Sequence, residues 1–208
     1  MKIGAIVVSS VLALGSTAAL ADNFYVLGSV GQSKVKDLHK SDIDSELTGA
    51  GATGLQSSID RTDTAYKLQA GYQFNKNFAL EGGYFNLGKA AYSASYTGGA
   101  ANASVKADGS NLSAVGSLPI SDAFSVFGKL GAAYSTVKAD VTATGPGGTA
   151  AGSAKDSKWG AVYGLGLNYN LTKQVALRAE YEIYDKVGGD NTGKSKVDVL
   201  SVGVAYKF

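Results

Sequence analysis

Polarity alternates with a period of two over most of this chain. Tyr66, Leu68, Ala70, Tyr72 and Phe74 are interleaved with Lys67, Gln69, Gly71 and Gln73, and Val175, Leu177, Ala179, Tyr181 and Ile183 with Ala176, Arg178, Glu180, Glu182 and Tyr184. Successive side chains of an extended strand point to opposite faces, so each segment has one apolar face and one polar or small face. Segment 197–208, VDVLSVGVAYKF, repeats the pattern and ends on an aromatic, Phe208. A helix would scatter these residues around its girth; the period therefore calls for an all-β architecture. The 28 glycines and 12 tyrosines agree, since both are at home in closely packed sheets.

The same test finds eight strands, at 23–35, 62–75, 77–91, 110–119, 123–137, 158–170, 175–187 and 197–208. Their connections alternate in length. Tight polar turns at 75–77, 119–122 and 170–174 are separated by long stretches at 36–61, 92–109 and 138–157 and a shorter one at 188–196. Several long stretches are rich in Gly, Ala, Ser and Thr, as in TGPGGTAAGSAKDS, which predicts mobile loops. Short and long connections in alternation describe antiparallel up-and-down neighbours with two unlike rims.

The first residues, MKIGAIVVSSVLALGSTAALA, place Lys2 before an apolar run at 3–14 and end small-x-small at Ala19-Leu20-Ala21. This is the layout of a secretory signal peptide, residues 1–21, with cleavage before Asp22. The apolar run is short of the roughly 20 residues that a membrane-spanning helix needs. An exported chain without such a helix crosses a membrane only with strands, so residues 22–208 are expected to form one β-barrel domain. There is no cysteine for a disulfide framework, and a formal charge of +2 without a large basic cluster gives no case for nucleic acid.

Alternation alone does not say which face meets lipid. The polar face carries Gly71, Gly83, Gly131, Gly164, Gly166 and Gly203, small residues that suit a crowded bore. On the apolar face, aromatics gather near the short turns (Phe24, Tyr72, Phe74, Phe78, Phe124, Tyr169, Tyr206, Phe208) and again towards the long connections (Tyr66, Tyr84, Tyr134, Trp159, Tyr163). Two aromatic girdles, short turns on one rim and long connections on the other are the marks of an outer-membrane barrel. Turning Lys129 or Arg178 towards mid-membrane lipid would cost about 2 to 4 kcal/mol each, which holds the register against a one-residue slip. The fold expected is thus an eight-stranded antiparallel up-and-down transmembrane β-barrel in the bacterial outer membrane, closed because hydrocarbon cannot satisfy bare strand edges.

Segments 118–135 (LPISDAFSVFGKLGAAYS) and 170–184 (NLTKQVALRAEYEIY) and the closing VLSVGVAYKF resemble strand–turn–strand and terminal-strand segments of the OmpA transmembrane domain family, and the resemblance covers essentially the whole of residues 22–208. It implies the eight-stranded barrel, and it implies that Phe208 belongs to the signal read by the barrel-assembly machinery. The chain stops at Phe208 without the peptidoglycan-binding domain of full-length OmpA proteins, so cell-wall anchoring is not expected. In the family, Glu and Lys/Arg partners close the bore and have been treated as an ion gate; matching residues here are Glu81, Lys129, Arg178 and Glu180, while one lumen lysine of the family stands as Val115. From the residues themselves, these four charges fall at similar depth on strands that can face one another, and unpaired they would be costly. A structural plug is the stronger expectation, with a regulated pore behind it.

Two further features are weighed and set aside. GGDNTGKS at 188–195 satisfies G-x-x-x-x-G-K-[ST], but a phosphate-binding loop needs a helix after it, and an alternating strand follows. His39, in KDLHKSDIDSE with Ser41, Asp42 and Asp44, is the only histidine and reads as a solvated loop residue rather than part of a lipid A-modifying site. No clustered metal ligands and no cofactor are expected. The function expected is non-enzymatic: a membrane-structural and surface-display protein with small-pore, porin-like diffusion through a charged lumen. An adhesin or surface-binding protein acting through 36–61, 92–109 and 138–157 is the alternative. Outer-membrane lipids and lipopolysaccharide are the expected surroundings.

Overall fold

The computed structural model describes residues 23–189 and 191–208, so the expected signal peptide lies outside the described residues. The elements are β1 (Phe24–Val35), α1 (Lys40–Gly49), β2 (Gln56–Asp60), β3 (Thr62–Asn75), β4 (Phe78–Tyr96), β5 (Gly99–Pro119), β6 (Phe124–Gly145), β7 (Gly148–Asn170), β8 (Val175–Gly189) and β9 (Gly193–Lys207). All pairings are antiparallel between neighbours. β1 closes the ring on β9, and β2 extends the line of β3 along β4, leaving eight strands in the barrel.

The register fixes the geometry. Registered partners followed round the ring from Phe24, through Tyr72, Leu80, Ala114, Leu130, Tyr163, Ile183 and Asp198, return to β1 at Lys34, ten residues further on. That stagger over eight strands tilts them by roughly 40° and leaves a bore that side chains can fill. Because ten is even, one face stays outside all the way round.

The outside is apolar, as the alternation requires. Leu68, Leu130, Leu165, Leu177, Leu200 and Val202 are exposed, whereas Lys67, Glu81, Lys129, Arg178, Glu180 and Glu182 are buried inside. A soluble protein would reverse this; here lipid is the solvent of the outer face. The girdles form by ring contacts both across strands and between i, i+2 neighbours along one strand. Phe24–Tyr72, Tyr72–Phe74 and Tyr206–Phe208 lie 4.9 to 5.2 Å apart at the short-turn rim, and Tyr134–Trp159 and Tyr66–Tyr84 lie 5.2 and 6.4 Å apart nearer the other. The final aromatic is held there, with the Phe208 N–H donated to the Phe24 carbonyl at 3.1 Å.

The long connections differ from the sequence expectation. Segments 92–109 and 138–157 are not mobile loops but continuations of β4–β5 and β6–β7, which pair as far as Tyr96↔Gly99 and Gly145↔Gly148. Alternation such as Val137, Ala139, Val141, Ala143 against Lys138, Asp140, Thr142, Thr144 runs through them, but its apolar members are too small for the pattern to stand out. Segment 36–61 contains α1 and β2. Ile43, Leu47, Leu55 and Ile59 pack against Tyr92, Ala94 and Ala101 of the projecting sheet, and Asp44 accepts hydrogen bonds from Lys40, Ser57 and Tyr92 at 2.6 to 2.8 Å. These contacts across the sheet, rather than helix propensity, hold a helix too short to persist alone.

Candidate functional site

The chemistry of the bore is concentrated in one ion cluster. On β8, Arg178, Glu180 and Glu182 stand at i, i+2 and i+4 and share the inner face; β4, diametrically opposite in the ring, supplies Glu81, while β3 and β6 supply Lys67 and Lys129. Lys129 is the hub: its Nζ lies 2.7 Å from Glu180, 3.0 Å from Glu81 and 3.1 Å from Glu182. Lys67 pairs with Glu180 at 2.7 Å and also with Glu182. Arg178 Nη1 reaches Glu81 Oε1 at 2.5 Å, and its Nε donates to Asn168 at 2.8 Å. Three cations therefore meet three carboxylates, each carboxylate touching two cations. In a space this dry, each unpaired charge would cost several kcal/mol, and neutrality with multiple contacts is what makes the burial tolerable.

Close approaches around the cluster explain two of the lumen glycines. A side chain at Gly71 would run into the Tyr25 ring, and one at Gly166 into the Phe127 ring. With those sites empty of side chains, Tyr25 donates its hydroxyl to Glu81 at 2.5 Å, and Phe127 lies 4.5 Å under the Arg178 guanidinium as a cation–π partner. Gln69 and Asn111 continue the polar layer, joined at 3.1 Å.

Beyond the ion cluster, towards the extended rim, the bore is apolar. Phe85, Leu87, Val137, Val162, Tyr184, Val187, Val197 and Val199 form a buried cluster, with the Phe85 and Tyr184 rings 4.7 Å apart. On the short-turn side, Arg178, Asn168, Ser125 and Lys207 line a cavity of about 280 Å³. A smaller one, about 70 Å³, lies at the other mouth among Ser33, Leu87, Val105, Val137 and Val197. The two share no lining residue, and Glu81, Lys129, Glu180, Glu182, Phe85 and Tyr184 line neither of them.

All four residues singled out in the sequence, Glu81, Lys129, Arg178 and Glu180, meet here; Lys67 and Glu182 belong with them and were legible only as members of a polar face. Val115 is buried on the same inner face, beside Lys129 in the adjacent strand. His39 stands exposed before α1 without a side-chain capping hydrogen bond, while Ser41 donates to Asp42 and Ser57 to Asp44. The 188–195 motif is a hairpin between β8 and β9; its Asp190 lies outside the described residues, and a strand rather than a helix follows it. Among the described residues there is no group of potential metal ligands.

A closed antiparallel barrel with lipid-facing Leu and Val, aromatic girdles and an ion-paired bore is an integral outer-membrane β-barrel. The OmpA-like transmembrane domain profile matches residues 19–208, and the chain belongs to that family. Outer membrane protein A of Salmonella typhi is 37% identical over 142 residues, covering 66% of this chain, and that of Serratia marcescens is 32% identical over 222 residues, covering 100% of it. The chain spans 38% and 56% of the length of those two relatives. Among solved structures, OprG of Pseudomonas aeruginosa is similar at a TM-score of 0.54 with 19% identity, covering 90% of this chain and 97% of that one. Ail, the attachment invasion locus protein of Yersinia pestis, is similar at 0.53 with 20% identity, covering 90% and 99%. At these identities the two structures bear on the fold alone.

Proposed function

We propose that this protein is a structural and display barrel of the outer membrane, closed at rest, whose bore is a load of paired charge rather than an open pore. The observation that carries the reading is the stacking of the six-ion cluster under the apolar cluster of Phe85, Tyr184, Val137 and Val162. An ion crossing the bore has to replace several buried contacts and then pass side chains that offer it no ligand. Small-pore diffusion, in this reading, needs both layers to rearrange. In planar bilayers the wild type is expected to preserve membrane resistance, and Glu81→Ala combined with Phe85→Ala to give discrete conductance steps. A steady open-pore current through the wild type refutes closure; silence of the double variant leaves no place for a gate.

Binding through the external segments is the second reading, favoured by one observation. Residues 148–155 of β7 pair with β6 only, so the projecting sheet ends in an open strand edge. Open edges accept an added strand. Proline substitutions at Ala151 and Ser153 would weaken binding of an extended peptide or host surface protein without altering conductance.

A further inference from the structure

Outward-facing lysines on four adjacent strands fall into one lateral row. Lys89 on β4 is registered with Lys106 on β5, Lys106 with Lys138 on β6, and Lys138 with Lys155 on β7. All four are exposed. A β-bulge between Asn86 and Lys89 puts the first of them there: Gly88 takes φ 74, the alternation slips by one, and Lys89 turns outward as Ala90 and Tyr92 turn in. Like charges directly opposite across strands repel, so the row is unfavourable unless something anionic lies along it.

The protein itself does not provide that anion. The acids nearest the row are Asp108 on the girdle side, Asp60 and Asp140 on the far side and Asp63, which accepts the Lys89 backbone N–H; none makes an ion pair with these four ammonium groups among the described residues. Two lysines elsewhere near this rim are paired: Lys36 lies 2.8 Å from Asp198, and Lys196 lies 3.8 Å from Asp185.

The row's position names the missing partner. Tyr84, Ser110, Tyr134 and Trp159 form the parallel registered row that belongs to the girdle, and the lysines lie two side-chain rows beyond it, with Asp108, Thr136 and Ser157 between. Four residues of strand at the barrel's tilt put the lysines roughly 10 Å above the girdle. Outward from the hydrocarbon the surface thus passes from aromatic to mixed polar (Asn86, Asp108, Thr136, Ser157) to cationic, the order in which a phosphorylated glycolipid presents acyl chains, sugar and phosphate. We propose that Lys89, Lys106, Lys138 and Lys155 seat the phosphates of such a glycolipid in the outer leaflet. This rests on the membrane placement of the barrel and is independent of whether the bore conducts.

The full chain in detergent micelles is titrated with bisphosphorylated lipid A and with the same lipid freed of phosphate, using Trp159 fluorescence and native mass spectrometry. The phosphorylated lipid is expected to bind about tenfold tighter, the preference shrinking with salt. Lys106→Gln/Lys138→Gln should lose that preference while folding as well as wild type in zwitterionic vesicles, and Lys36→Gln/Lys196→Gln should keep it. Equal binding of the two lipids, an unaffected row variant, or equal loss in the paired-lysine control overturns the proposal. So does full competition by inorganic phosphate, or a row variant that loses binding to a sulfated polysaccharide but retains lipid A.

Discussion

Lys129→Met removes one charge from the centre of the cluster at nearly constant volume. The Lys129 side chain is wholly buried and its Nζ lies within 3.1 Å of three carboxylates, so the change leaves Lys67 and Arg178 facing Glu81, Glu180 and Glu182. Uncompensated buried charge of this kind costs about 3 to 5 kcal/mol, and the methionine stem adds less than about 1.5 kcal/mol of repacking. Restoring neutrality with Glu182→Gln in the same chain should recover about 2 kcal/mol, read as the coupling in a double-mutant cycle. Urea unfolding in lipid vesicles measures both, because Trp159 is the single tryptophan and sits exposed on the lipid face, where unfolding changes its surroundings. A loss under about 1 kcal/mol for Lys129→Met, or strict additivity in the cycle, would refute the claim that charge balance holds the bore together.

Three further outcomes follow from other contacts. Among the described residues the buried Tyr184 hydroxyl has no hydrogen-bond partner, so Tyr184→Phe should match or exceed wild-type stability, by up to about 1 kcal/mol in the same urea assay; a clear loss would reveal a partner. Leu130, 67% exposed on β6 between the girdle residues Phe124 and Tyr134, should cost about 2 to 4 kcal/mol on mutation to Arg, whereas Lys138→Arg beyond the girdle should be neutral. Asp44 is held at a pKa of about 2, chiefly by its hydrogen bond from Lys40 and then by Ser57 and Tyr92. A folded-state pKa below the unfolded value of about 3.9 stabilises docking of α1 above that value and gives up the contribution as pH falls through about 2. The protection of residues 40–49 against hydrogen exchange, taken relative to the intrinsic rate at each pH, should therefore hold at pH 5 and fall only below about pH 4; protection already lost at pH 5 would show that Asp44 is not the anchor.

Much of the barrel was legible before any coordinates, because the decisive quantity is local. Whether Leu68 or Lys67 meets lipid is settled by transfer cost and by the two-residue period, and both are read within a few neighbours. The same holds for Glu81, Lys129, Arg178 and Glu180 as bore residues. The projecting strands were not legible: Ala, Ser, Gly and Thr on both faces give little contrast, and only pairing with an equally bland neighbour makes 138–157 a hairpin rather than a loop. Segment 36–61 hid α1 for a related reason, since its apolar side chains find their partners on a different hairpin.

From sequence alone came the inside and outside of every strand in the membrane, the two girdles and the closure of the sheet, since each follows from which side chains water and hydrocarbon accept. Only the tertiary structure decided who meets whom: that Lys129 touches three carboxylates, that the Phe85 and Tyr184 rings pack together beyond them, and that four lysines line up across four strands. Those meetings depend on the ten-residue stagger and on the bulge at Gly88, which set distances between residues far apart in the chain and leave no periodic trace along it.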